Sequence, residues 1–404
     1  MKMPHEVPPT AGLLLRWSDF IGSASKPDLG QALAAFLGVE SVGVASSGTA
    51  SLIVALETLK RRSDRRTVVI PAYTCPLVPL AVAYVGLRVK LCDLSPDRFD
   101  LDPGALAAAC DRDTLAVVPT HLGGMVANLQ PVFDIAERAG AFVVEDAAQA
   151  LGATWRGQPV GTLGDIGIFS LSRGKGLTVY EGGFWVARSR GLREATAETA
   201  DELLRSRAGV EFLRFVQVIG YRLFYNPIGL RLVYGIPLRR ALARRDLVRA
   251  VGDEFRSEIP LHRVGAWRQR IGASALPRLR SAIAANAERG RARASDLQRI
   301  PGITIVDELP HTRGTWPFLM VLTDRSEARD RILERLWSEG LGVNRLFIHD
   351  LTSYEYLDAI VPAAEVRHAR SLAARSFSVS NSEYLSEEQF GQIHNVIARE
   401  TIGC

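Results

Sequence analysis

Between residues 42 and 187, short apolar runs alternate with stretches of helical spacing. No other feature of the chain constrains its fold as much. The runs are VGVA (42–45), VVIPAY (68–73), RVKLCDL (88–94), LAVVPTHL (115–122), AFVVEDAA (141–148) and IGIFSLS (166–172). Between them lie segments such as SGTASLIVALETL and LQPVFDIAERAG (129–140), whose apolar residues recur at helical spacing. Strands that are apolar throughout are buried on both faces. The expected class is therefore α/β, with a mostly parallel central sheet covered by helices on both faces. Ligand-binding residues of such sheets collect at the carboxyl ends of the strands.

The 404 residues exceed one typical domain. The expected division is a large domain over 1–300 and a small C-terminal α+β domain over 301–404. In the second part WPFLMVLTD (316–324) and LGVNRLFI (341–348) read as strands, and LSEEQFGQIHNVIARE (385–400) as a helix capped by Ser386. Residues 261–300 read as one long helical region, kinked or restarted at Pro277. The formal charge of +5 is too small to imply nucleic acid as a partner of the whole chain. Cys75, Cys92, Cys110 and Cys404 are scattered, with no CxxC pair and no histidine cluster. Neither a disulfide framework nor a metal site is expected, and a reducing cytoplasm fits. The first residues lack an apolar signal core, and no long uncharged apolar stretch suggests a membrane span.

Three clusters can carry chemistry. Ser47-Gly48-Thr49 follows a short strand and opens a helix, which makes either a simple cap or an anion site with close backbone approach at Gly48 and a hydroxyl at Thr49. Glu145-Asp146 ends an apolar strand, where a carboxylate is costly unless paired; it caps the next helix or faces a metal, a ribose or a protonated ring nitrogen. Lys175 sits in SRGKG after the strand ending near Ser170, in a chain with only five lysines. It is a solvated turn lysine, a phosphate ligand or a desolvated nucleophile that forms a Schiff base. One ligand satisfies the functional reading of all three: it carries a phosphate, a basic ring nitrogen and an aldehyde, as pyridoxal 5′-phosphate (PLP) does.

The strings VASSGTASLIVAL, VVIPAYTCP, GLRVKLCDLSPDRFDLDP, VVPTHLGG, YLSEEQF and the long block VVEDAAQALGATWRGQPVGTLGDIGIFSLSRGKGLTVYEGG carry a resemblance. Over roughly 30–187 and 261–400 the chain resembles the sugar aminotransferases of the DegT/DnrJ/EryC1/StrS family, fold-type I PLP enzymes. The resemblance implies an aminotransferase that moves an amino group from glutamate or glutamine to a keto-sugar, nucleotide-linked, as a homodimer with sites at the interface. It implies Lys175 as the Schiff-base lysine and proton shuttle, Asp146 as partner of the pyridinium, Gln149 near the phenolic oxygen, and Gly48, Thr49 and Ser170 at the phosphate. Arg263 resembles an arginine that reaches the partner subunit's site, and His349 matches a histidine near the sugar pocket.

The chain departs from the family pattern in several places. An aromatic that stacks on the cofactor ring is replaced by Cys75, leaving Tyr73 or His121 to substitute. Leu261 stands where an asparagine is expected. An insertion spans about 190–258. From Arg205 to Arg249 it holds ten arginines and only two acids, Glu211 and Asp246, with Arg214, Gln217, Tyr221 or Arg222, and Tyr225 at helical spacing against a broad apolar face. Breaks are expected at Asn226-Pro227 and Gly235-Ile236-Pro237. The segment is either an enlarged helical cover on the dimer or the active site, or a peripheral contact with an anionic membrane. Two rival functions are a sugar dehydratase, whose branch replaces the lysine by histidine, and a non-catalytic PLP-binding protein.

Overall fold

Seven strands form the central sheet in the computed structural model, which describes residues 5–21, 28–255 and 258–402. They are β1 (Gly43–Ala45), β2 (Thr67–Pro71), β3 (Arg88–Cys92), β4 (Thr114–Val117), β5 (Phe142–Asp146), β6 (Ile166–Ser170) and β7 (Gly183–Ala187). Their spatial order is β1-β7-β6-β5-β4-β2-β3. Strands β2 to β6 pair in parallel, and β7 runs antiparallel to both its neighbours. The α/β class expected from the apolar runs is the class observed. β2, β4, β6 and β7 are buried at every residue, as uninterrupted apolar runs require.

β7 was not among the expected strands, because its opening glycines read as a turn. The structure gives Gly183 another role. A Cβ there would lie 2.2 Å from the backbone carbon of Ser47, so β7 fits beside the start of helix α1 (Gly48–Arg61) only with glycine at this position.

A second sheet is antiparallel throughout, in the order β8 (Ile303–Ile305), β9 (Phe318–Thr323), β11 (Ser376–Ser380), β10 (Val343–Asn344). The strand expected over 341–348 shrinks to two residues. The Asn344 side chain accepts from the Arg345 N–H (2.9 Å) and the Trp337 indole (2.8 Å), and this turns the chain out of the sheet. β11, unforeseen because three of its five residues are serine, is wholly buried. Its serines remain satisfied: Ser378 donates to the Asn344 carbonyl and Ser380 to that of Pro8. Ser386 caps the last helix reciprocally with Gln389. Pro277 lies in a 3₁₀ turn joining helices Ala266–Ala275 and Leu279–Gln298.

Residues 7–13 strap the two sheets together. Val7 donates to the Gly340 carbonyl (2.8 Å), Ala11 to Pro317 (2.7 Å) and Leu13 to Gly176 (2.9 Å). In the insertion, α2 (Ala208–Phe224) ends at Asn226-Pro227, where Asn226 caps a new turn. The break expected at Gly235-Ile236-Pro237 does not occur. A π turn (Arg231–Gly235) runs directly into helix Ile236–Ala243, and Pro237 sits in that helix's first turn, where its missing N–H costs little.

Candidate active site

A cavity of about 490 Å³ opens at the carboxyl ends of β5 and β6, beside the first turn of α1. Asp146 and Ser170 are the last residues of their strands. Gly48 and Thr49 open α1, with the Ser47 hydroxyl accepting the Ala50 N–H (3.0 Å). The earlier amides of the helix have no intrahelical acceptor, and the helix dipole favours an anion there. The space is narrow: a Cβ on Gly48 would stand 3.2 Å from Cβ of Ser170. Ser170 shares a short hydrogen bond with Ser172 (2.6 Å).

Lys175 enters the same cavity from the turn after β6. The other described lysines are neutralised: Lys60 lies on Glu57 and Lys90 on Asp111. The Lys175 ammonium makes no hydrogen bond or ion pair among the described residues. Burial pushes its pKa down, against the opposing pull of Cys75 and Asp146. A desolvated, unbonded amine is a nucleophile held ready. Burial pushes Asp146 the other way, and the Ala148 N–H (3.0 Å to Oδ1) and the charge of Lys175 only partly offset this. The carboxylate therefore gains most by facing a cation or a protonated ring nitrogen in the cavity. Burial raises the Cys75 thiol to about 12, so it lines the wall as a neutral group.

His121 lines the floor, and the buried Glu145 holds it from behind. The His121 Nδ1 accepts from the Ala127 N–H (3.1 Å), which leaves Nε2 to donate to Glu145 (3.1 Å). Burial would raise Glu145, but the hydrogen bonds of His121 and of the Gly164 and Gly161 amides hold it below the ordinary carboxylate range. With both nitrogens engaged, His121 offers a ligand only its ring. Gln149 accepts from the Gly123 N–H through Oε1 (2.8 Å), which frees its NH₂ as a donor at the wall.

Three of the residues singled out in the sequence stand off the wall. Tyr73 is not beside Cys75 on the cavity. Its phenol is buried against Phe347, whose backbone it both donates to and accepts from at 3.3 Å. It is thus absent from the place of the missing aromatic. Arg263 is half-exposed and paired with Asp201 at 2.5 Å. The His349 ring packs edge-on to Tyr354, which its backbone N–H also meets at 3.3 Å. Other wall residues were not anticipated. Arg173 and Glu181 lay within the quoted motif unassigned, while Arg214 comes from the insertion and pairs with Glu181. The sequence set Arg214 on a polar helical stripe but not at the site, because only the packing of α2 brings it there.

The sequence profile of the DegT/DnrJ/EryC1/StrS aminotransferase family matches residues 18–215, which contain most of this wall. Over this segment, just under half of the chain, the sequence is similar to that aminotransferase family. Among curated relatives, L-glutamine:2-deoxy-scyllo-inosose aminotransferase of Streptomyces paromomycinus is 38% identical over 177 residues, 43% of this chain and 42% of that protein. GDP-perosamine synthase of Caulobacter vibrioides is 35% identical over 153 residues, 38% and 41% of the two chains. The matched segment spans less than half the length of these relatives. Helicobacter pylori PseC, an aminotransferase involved in the biosynthesis of pseudoaminic acid, superimposes over 99% of this chain and 100% of its own, with a TM-score of 0.76 at 16% identity. That likeness shows a shared fold.

Proposed function

We propose that the chain is a PLP-dependent aminotransferase that moves an amino group from glutamate or glutamine to a keto-sugar, in the making of surface glycans or secondary metabolites. The observation that carries the reading is a buried, unbonded Lys175 sharing one cavity with a buried Asp146 and the open amides of α1. These residues fit PLP. The Gly48 and Thr49 amides, with the Thr49 and Ser170 hydroxyls, would hold the phosphate. Asp146 would keep the ring nitrogen protonated, and the Gln149 NH₂ would meet the phenolic oxygen. Lys175 Nζ would hold the aldehyde carbon. When bound, PLP supplies the electron sink that makes the donor α-carbon acidic.

Lys175 Nζ would take the donor's α-proton and, in the second half-reaction, deliver a proton to the acceptor carbon. The clamp of Glu145 on His121 keeps the floor rigid during both transfers. Both relatives bear names of enzymes that install amines on sugars or cyclitols, and this supports the acceptor class. We also propose a homodimer, in which Arg263, placed outside its own cavity, serves the partner's site, and His349 borders the sugar pocket. The unpaired thiols of Cys75, Cys92 and Cys110 suit a reducing cytoplasm.

The test is the visible spectrum of the purified protein with and without excess L-glutamate or L-glutamine. A bound-cofactor band that converts on addition of donor is expected, and Lys175→Ala should abolish the conversion. No cofactor band after incubation with PLP would overturn the reading.

A further inference from the structure

Helix α2 is amphipathic in the inverse sense. Its polar stripe faces inward: Arg214 reaches the cavity of Lys175, while Gln217, Tyr221 and Tyr225 line a second cavity of about 670 Å³. Its apolar stripe faces out. Phe212, Val216 and Leu223, at i, i+4 and i+11, stand in the open together with Leu213, and the following turns add Ile228 and Leu232, all between 48% and 70% exposed. Trp267, also exposed, extends the patch through its contact with Phe215 (5.6 Å between rings). Large apolar side chains gathered in the open on one helix face mark an interaction surface.

Charge indicates what covers it. Arg205, Arg207, Arg240, Arg244, Arg245 and Arg249 are exposed in the same insertion, and none has a carboxylate within ion-pair distance among the described residues. An exposed apolar helix face in a segment that also carries six exposed, unpaired arginines suits the interface of an anionic bilayer. No helix among the described residues is long and apolar enough to cross one, so the contact would be peripheral.

The second cavity leads from this face to the chemistry. It shares Lys175, Gln149, Arg173 and Tyr180 with the first cavity. Its outer wall includes Phe224 and Val233, which are themselves 45% and 55% exposed on the apolar face. Leu230, Phe318 and Leu346 make its sides apolar.

We propose that the face of α2 rests on an anionic membrane, and that the second cavity admits an acceptor bearing a long apolar chain from that surface to Lys175. This rests on the aminotransferase reading and narrows its acceptor to a lipid-linked carbonyl compound. The test floats the PLP-loaded protein with phosphatidylcholine vesicles, with and without phosphatidylglycerol. Flotation only with phosphatidylglycerol is expected, with an about tenfold loss in the double variant Phe212→Glu/Leu232→Glu, whose bound-cofactor band and melting should be unchanged. Equal recovery in the soluble fraction with both vesicles overturns the proposal. So does unaltered flotation of the variant, or a variant that merely converts a dimer to a monomer, which would assign the face to a second copy. Dodecyl phosphate, measured by equilibrium dialysis, should bind at least ~100-fold tighter than inorganic phosphate, since each buried methylene contributes about fourfold. Leu230→Arg should remove that gain, and equal binding of the two probes rules out the cavity as the chain's path. A missing cofactor band would instead strike the aminotransferase reading, and the glutamate spectrum reports it separately.

Discussion

Lys175 and Asp146 share one cavity with opposite protonation tendencies. Burial favours the neutral form of each, and what each does next depends on what enters. Replacing Asp146 by Asn keeps the shape and removes the charge that would hold a ring nitrogen protonated. Turnover of a keto-sugar should fall by about 10²-fold or more while PLP still binds, a split that steady-state kinetics beside the cofactor spectrum would show. Gly183 makes a steric demand of a different kind. A Cβ there meets the backbone of Ser47 and Gly48. Gly183→Ala should therefore cost about 1–3 kcal/mol in thermal or denaturant unfolding and loosen PLP by shifting the start of α1. Asp146 was legible as a candidate in the sequence, whereas Gly183, though it lies in the same quoted block, was read only as part of a turn. Tyr73 was the misplaced expectation. Its place two residues before Cys75 gave no hint that its ring turns toward Phe347.

At the level of elements, the insertion is tied to the site by Glu211 of α2. Its carboxylate accepts from Arg268 (3.0 Å to Nε) and from the Gly265 N–H (2.5 Å), and lies 3.2 Å from His262. Arg268, almost wholly buried, also reaches the carbonyls of Val179 and Glu181 beside the cavity. Removing Glu211 strands that guanidinium. Glu211→Ala should destabilise the protein by about 3–5 kcal/mol, measured by chemical denaturation. The pH dependence has a definite sign. Burial alone would raise Glu211, but His262, Arg268 and Gly265 hold it down at about 2. Its stabilisation is therefore complete above its ordinary value near 4.5 and lost as pH falls through about 2. The gap in melting temperature between wild type and Glu211→Gln should shrink across that window. A constant gap would mean that the carboxylate is not the clamp.

On the scale of the whole molecule, the strap of residues 7–13 joins the second sheet to the turn that carries Lys175. Thr10 donates to the Gly174 carbonyl (2.9 Å), and a Cβ on Gly12 would come within 2.6 Å of the Lys175 carbonyl oxygen. The lysine is thus held by chain from the far end of the sequence. Gly12→Ala should push on that carbonyl, slow the glutamate-driven spectral change and lower PLP retention. Equilibrium dialysis of the cofactor and stopped-flow absorbance would measure the two effects. A variant with wild-type values in both would show that the strap stabilises the fold without positioning Lys175.

The chain's own alphabet determined the α/β class, five of the seven central strands within a residue or two, the cap at Ser386 and the three clusters that meet at the cavity. Those features are local: apolar runs, capping residues and glycine turns act over a few neighbouring positions. β4, foreseen to run to residue 122, ends at Val117, and β7, β8 and β11 were not foreseen at all. β7 and β11 show why. Each is a strand only because a distant partner makes it one, the start of α1 for Gly183 and the carbonyls of Pro8 and Asn344 for the buried serines. Tertiary structure alone decided that α2 turns its polar stripe inward and its apolar stripe out. Helical periodicity reports that two faces differ, while the packing of Glu211 on Arg268 selects which of them faces the protein.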